Sequence, residues 1–119
     1  MKILIAEDSL TMRNVIKGML GKANYKNIIE ASDGREVVTI MNKSPVDLVL
    51  LDINMPKLNG FETTQRIRLI HKDIPIIAQT ALNIDEAKEK AEQAGCNDYI
   101  LKPIRLKLFL SKLDSYLTK

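Results

Sequence analysis

Cysteine occurs once, at Cys96, and histidine once, at His71, in the 119 residues of the chain. A lone cysteine excludes an internal disulfide and makes a reducing, cytoplasmic setting the expectation. Cys96 has no metal-ligating partner at useful spacing and is expected to pack as a small apolar side chain. His71, between Ile70 and Lys72, has no catalytic neighbour and is expected to be a solvated surface residue. Long apolar runs are also missing. None approaches the ~20 residues of a membrane-spanning helix, so no membrane association is expected. The opening MKILIAEDS has too short an apolar stretch before its two carboxylates to act as a signal peptide. Aromatic residues make up only 4% of the chain, and the formal net charge is +3. The basic residues stand singly (Arg13, Lys17, Arg66, Arg68, Lys88, Lys107, Lys112), without interleaved aromatics. That is the pattern of solvated helix faces, so direct nucleic-acid binding is not expected. There is no repeat, linker or low-complexity segment.

What the chain does have is the balance of a globular domain, 45% apolar and 28% charged, at a length that fits one domain, 1–119. Short apolar runs rich in Ile, Leu and Val lie at 3–6, 28–31, 48–51, 74–78 and 99–101. They barely alternate in polarity, as strands covered on both faces do. Stretches of helical period separate them. Met12, Val15, Ile16, Met19, Leu20 and Ala23 mark the first, behind Ser9 as cap. Val37, Val38 and Met41 mark the second, which Pro45 closes, and Phe61, Ile67 and Ile70 mark the third. The fourth begins at Asn83 with Glu86 three residues on and stops at Gly95. Its inner face is alanine (Ala87, Ala91, Ala94), which predicts weaker packing than its neighbours. Leu106, Phe109, Leu110, Leu113 and Leu117 mark the last. The alternation predicts an α/β fold: a doubly wound, five-stranded parallel sheet of flavodoxin-like strand order 2-1-3-4-5.

In such a sheet all strands end at one edge, where open α/β sheets bind ligands. Glu7 and Asp8 follow the first strand, Asp52 the third, Thr80 the fourth and Lys102 the fifth. Three carboxylates brought together repel and stay ionised only with a cation, and their oxygens suit Mg²⁺. Lys102 adds a point charge for an anion and Thr80 a hydroxyl donor. A carboxylate nucleophile, a divalent cation, a lysine and a hydroxyl together describe phosphoryl transfer, where the protein positions groups and neutralises charge.

Over its whole length the chain resembles the receiver domains of two-component response regulators. The resemblance is carried by Glu7-Asp8, by Asp52-Ile53-Asn54-Met55-Pro56 with Gly60 after it, by Thr80-Ala81 and by Lys102-Pro103. It implies that Asp52 is the phosphoacceptor. It implies Mg²⁺ bound by Asp8, Asp52 and the main-chain carbonyl of Asn54, with Glu7 acting through a metal-bound water. Many receivers carry aspartate at the place of Glu7. Lys102 would contact the phosphoryl group, and Thr80 and Tyr99 would act as switch residues, reshaping the face of the fourth helix, fifth strand and fifth helix toward a downstream target or an attached output domain. A cis peptide bond before Pro103 is implied as well. Asn54 and Leu82 would flank the path of a hydrolytic water, and the apolar Leu82 predicts slow loss of the phosphoryl group.

The implied donor is a sensor histidine kinase or a histidine phosphotransfer protein. The chain would then be no enzyme beyond catalysing its own phosphorylation and dephosphorylation. An aspartate-nucleophile phosphatase needs a second carboxylate two residues on, where this chain has Asn54. A flavodoxin needs a hydroxyl- and glycine-rich phosphate loop where this chain has Glu7-Asp8. The segments 76–81 and 94–99 resemble receivers of hybrid sensor kinases, so both a stand-alone regulator and a domain of a larger kinase stay open. Met1, two residues ahead of the first strand, favours a natural start.

Overall fold

Short β-branched and leucine-rich runs form the strands, and the stretches of 3.6-residue period form the helices, in strict alternation. The computed structural model describes residues 1–55, 57–81 and 83–117, with the backbone alone at Ile84. Five strands, β1 (Lys2–Ala6), β2 (Asn27–Ala31), β3 (Leu48–Asp52), β4 (Ile76–Thr80) and β5 (Asp98–Leu101), alternate with α1 (Leu10–Lys22), α2 (Gly34–Lys43), α3 (Gly60–Arg68), α4 (Ile84–Ala94) and α5 (Leu106–Leu117). The sheet is parallel in the order β2-β1-β3-β4-β5, as predicted.

Every residue of β3 and β4 is buried, which explains why these strands read as continuous apolar runs. Successive side chains point to opposite faces. Ile3, Ile5, Leu48, Leu50 and Ile77 pack under Ile16 and Leu20 of α1 and Phe109, Leu113 and Leu117 of α5. Leu4, Val49, Leu51 and Ile76 pack under Val37 and Met41 of α2 and Ile67 of α3. Each such side chain contributes ~1.5–3 kcal/mol by leaving water, so two cores clamp the sheet and fix its edge. On α4, the alanines Ala87, Ala91 and Ala94 form the buried side.

Local signals set the helix ends. Ser9 Oγ accepts from Met12 N at 3.3 Å and Asn83 Oδ1 from Glu86 N at 2.9 Å, the caps predicted for α1 and α4. Gly95 ends α4 with φ +99°, the left-handed value that favours glycine. Asp33 caps α2 and Asn59 caps α3 in the same manner.

Three placements differ from expectation. The fourth strand begins at Ile76, not Ile74, because Pro75 has no N–H to give to a ladder. It runs on through Gln79 to Thr80. Ile70, expected on the inner stripe of the third helix, is 64% exposed. The helix has ended at Arg68, whose guanidinium donates to Gly95 O, His71 O and Asn97 Oδ1 and so holds the chain there. His71 is half-buried, and its Nε2 lies 3.1 Å from the Met41 carbonyl that closes α2. It therefore satisfies a helix end and is not merely solvated.

Candidate functional site

Register brings the predicted residues to one edge. Ala6 pairs with Leu51, Asp52 with Gln79, and Thr80 with Leu101. Glu7 and Asp52 therefore stand at one level, with Thr80 one residue and Lys102 two residues further along, all at the C-terminal edge of the sheet. Glu7 continues the line of β1 by donating its N–H to Ala31 O at 3.0 Å. Lys102 N donates to Thr80 O at 2.8 Å, which fixes the start of the turn after β5, and the Lys102–Pro103 peptide is cis.

The side chains converge. Lys102 Nζ donates to Asp52 Oδ1 at 2.8 Å and lies 3.8 Å from Glu7 Oε1. Asn54 N donates to Asp52 Oδ1 at 3.3 Å, and Ser9 N to Glu7 Oε2 at 3.2 Å. One carboxylate oxygen from each of Glu7, Asp8 and Asp52 lies within 4.8 Å of the others. Burial differs among the three. Glu7 and Asp52 are each 2% exposed, whereas Asp8 faces solvent. Burial raises the Glu7 carboxyl to about 7, and the Asp52 carboxyl beside it acts in the same direction, against the Ser9 N–H and the Lys102 charge. Glu7 Oε1 is buried without a hydrogen-bond partner among the described residues. Buried and exposed carboxylates facing one another, with hard oxygen donors only, form a set that fits Mg²⁺.

The loop after Asp52 is built to keep its carboxylate in place. Met55 N and Gly60 N both donate to Ile53 O, and Lys57 has φ +68°. Gly60 stands so close to β3 that a Cβ there would lie 2.6 Å from Asp52 O. Asn54 is exposed, and Thr80 is buried. Both line a pocket of about 330 Å³ with Ile53, Asn59, Phe61, Ala81 and Lys90. Lys90 carries no signal in the sequence, where it is one lysine among the alternating charges of α4. Pro56 and Leu82 lie outside the described residues, and so does the shielding expected of Leu82.

Tyr99 is half-buried. Lys112 of α5 donates to its carbonyl at 2.6 Å and to Asp98 Oδ1 at 2.8 Å, and its ammonium stands 4.9 Å from the ring centroid. Tyr99 lines a pocket of about 390 Å³ with Lys102, Pro103, Arg105, Leu108 and Lys112. Lys112, expected on a solvated helix face, is instead half-buried against Asp98 and Tyr99.

A parallel sheet of this order, with carboxylates, a lysine and a threonine at its C-terminal edge, defines an α/β domain of flavodoxin-like topology built around an acidic pocket. The sequence profile of the response regulator receiver domain matches residues 3–114, and the chain belongs to that family. It is 37% identical over 116 residues to chemotaxis protein CheY-3 of Vibrio cholerae, covering 96% of this chain and 89% of that protein. It is 32% identical over 116 residues to sensor histidine kinase RcsC of Escherichia coli, covering 98% of this chain but only 12% of the kinase. Among solved structures, the receiver domain of sensor histidine kinase PA1611 from Pseudomonas aeruginosa, with magnesium coordinated in its active-site cleft, aligns with a TM-score of 0.90 at 31% identity, over 99% of this chain and 98% of that one. The Saccharomyces cerevisiae complex of the phosphotransfer protein Ypd1 with the receiver domain of Ssk1 aligns with a TM-score of 0.90 at 29% identity, over 98% and 88%. The chain is thus a receiver domain of two-component signalling. Among the described residues no helix is long and apolar enough to cross a membrane.

Proposed function

We propose that Asp52 accepts a phosphoryl group from the phosphohistidine of a sensor kinase or a histidine phosphotransfer protein, and that residues 1–119 act as one receiver domain. The observation that carries this is the setting of Asp52: a carboxylate 2% exposed, paired to Lys102 at 2.8 Å and facing Glu7 and Asp8. A buried carboxylate that only stabilised the fold would not need two more beside it.

Asp52 and Asp8, with the Asn54 carbonyl, would hold Mg²⁺, and Glu7 would reach it through water. When bound, Mg²⁺ neutralises the carboxylates and the oxygens of the incoming phosphoryl group. Asp52 supplies the attacking oxygen. The Asn54 N–H and Lys102 orient it, and Lys102 transfers its contact to the phosphoryl oxygens as the acyl phosphate forms. Thr80, at the adjoining strand end, donates its hydroxyl to the same oxygens. That new bond exists only in the phosphorylated state, so it biases the conformation of the α4-β5-α5 face. Tyr99, on that face, turns with it. A downstream target or an attached output domain would read the change. The complex of Ypd1 with the Ssk1 receiver supports a phosphotransfer protein as one class of donor. The chain's chemistry is then confined to its own phosphorylation and dephosphorylation, in the cytoplasm. Incubation with acetyl phosphate is the test. Labelling should require Mg²⁺, resist acid, yield to base and disappear in Asp52→Asn.

A further inference from the structure

We propose that Gln79 is a positioning residue for Lys102, holding its ammonium group at the site from beneath; this rests on the reading of Asp52 as phosphoacceptor. Gln79 is fully buried, and neither Nε2 nor Oε1 has a hydrogen-bond partner among the described residues. A buried amide with both ends unpaired is costly, and an apolar side chain of the same size would fill the space without that penalty.

The placement of Gln79 says what the amide can serve. It pairs in register with Asp52 on one side and Ile100 on the other. It therefore shares the sheet face of Asp52. One step down that face are Ile77 and Leu50, part of the apolar core under α1 and α5. They offer no polar partner. At its own level stand Asp52 and, beyond it, Glu7, whose Oε1 is also buried without a hydrogen-bond partner among the described residues. β4 lies between β3 and β5. Lys102 follows β5, so its side chain must cross β4 to bring Nζ to 2.8 Å from Asp52 Oδ1. That crossing passes over the end of β4, where Gln79 sits.

Lys102 has three N–H donors, and the carboxylates at 2.8 and 3.8 Å engage two at most. The terminal torsion of glutamine is broad, so its amide turns at little cost. Oε1 can then take the third N–H. A neutral acceptor holds the ammonium without cancelling the charge that the phosphoryl oxygens require. Nε2 is left to donate toward the carboxylates.

Gln79→Met keeps the length and removes both polar atoms, and Gln79→Leu removes them with a different shape. Each should unfold in urea at or above the wild-type midpoint. Each should nevertheless label with acetyl phosphate roughly 5- to 20-fold more slowly, as losing one charge-assisted hydrogen bond does, and displace the ¹⁵N resonance of the Lys102 ammonium. A merely misfit glutamine would move neither of these. In the chain with native Gln79, the side-chain amide resonances should shift when Lys102→Met is introduced, a readout that needs neither labelling nor a stable Gln79 variant. Wild-type labelling with an unmoved Lys102 resonance in either variant, or unmoved Gln79 amide resonances in Lys102→Met, overturns the proposal. Failure of the underlying reading shows separately, as Asp52→Asn still taking label.

Discussion

Replacing Gly60 by alanine probes how tightly the site loop is held against the sheet. Gly60 opens α3, and its N–H donates to Ile53 O at 2.9 Å. A Cβ there would meet Asp52 O at 2.6 Å and Ile53 Cα and Cδ1 at 2.8 Å. Two of these three atoms are backbone, so movement of the Ile53 side chain alone cannot relieve the contact. The helix start or the Asp52 strand end must move. Overpacking of this kind costs ~1–3 kcal/mol. The helix-forming advantage of alanine over glycine, ~0.5–1 kcal/mol within a helix, offsets it only in part at the first position. Gly18 supplies the control, because it lies within α1 and a Cβ there meets nothing within 4 Å. Gly18→Ala should stabilise by ~0.5–1 kcal/mol, and Gly60→Ala should destabilise by ~1–2 kcal/mol net. Urea unfolding of the two variants measures both. Gly60→Ala should also slow labelling by acetyl phosphate, because Asn54 N and Asp52 Oδ1 shift together with the loop. If Gly60→Ala proved as stable as Gly18→Ala and labelled at the wild-type rate, the close packing of α3 on the site would be refuted.

Other consequences can be measured directly. Mg²⁺ titration should show a larger loss of affinity in Asp8→Asn than in Glu7→Gln if Glu7 acts through water; the reverse order would exchange their roles. Without metal, Glu7 holds its proton more tightly folded, at about 7, than unfolded, near 4.5. The folded state then carries an extra proton between these values, so raising pH through that window should lower stability, by up to a few kcal/mol. Glu7→Gln should flatten the slope, and an equal slope in both chains would contradict the burial argument. Phosphorylation should move amide NMR resonances from Lys88 to Tyr99 as well as those beside Asp52. Shifts confined to the Asp52 loop would count against the switch.

The fold was legible because its two periodicities are clean: nearly unbroken Ile, Leu and Val in the strands, and stripes such as Leu106, Phe109, Leu113 and Leu117 in the helices. The convergence of Glu7, Asp52, Thr80 and Lys102 followed from the parallel topology alone, since every strand delivers its last residue to one edge. What is not legible in the sequence depends on contacts between elements that are distant along the chain. Gln79 lies just past the apolar run 74–78 in the sequence, yet it is buried in β4 between β3 and β5. Lys112 reads as solvated until α5 lies against β5 and its ammonium meets Asp98 and Tyr99. His71 looks free until α3 and α2 come side by side and its ring reaches Met41 O. Ile70 carries the right period but lies past the point where Arg68 is tied to Gly95 and Asn97.

Phosphoryl transfer to a single residue, Asp52, is the event to be detected. Its most direct test is to label the chain with acetyl phosphate and Mg²⁺, reduce the acyl phosphate with borohydride and sequence the tryptic peptide 44–57 by tandem mass spectrometry. That peptide contains only two carboxylate side chains, Asp47 and Asp52. Modification confined to Asp52, absent without Mg²⁺, is the predicted result. Modification at Asp47, at Glu7 or Asp8 in another peptide, or nowhere would contradict it.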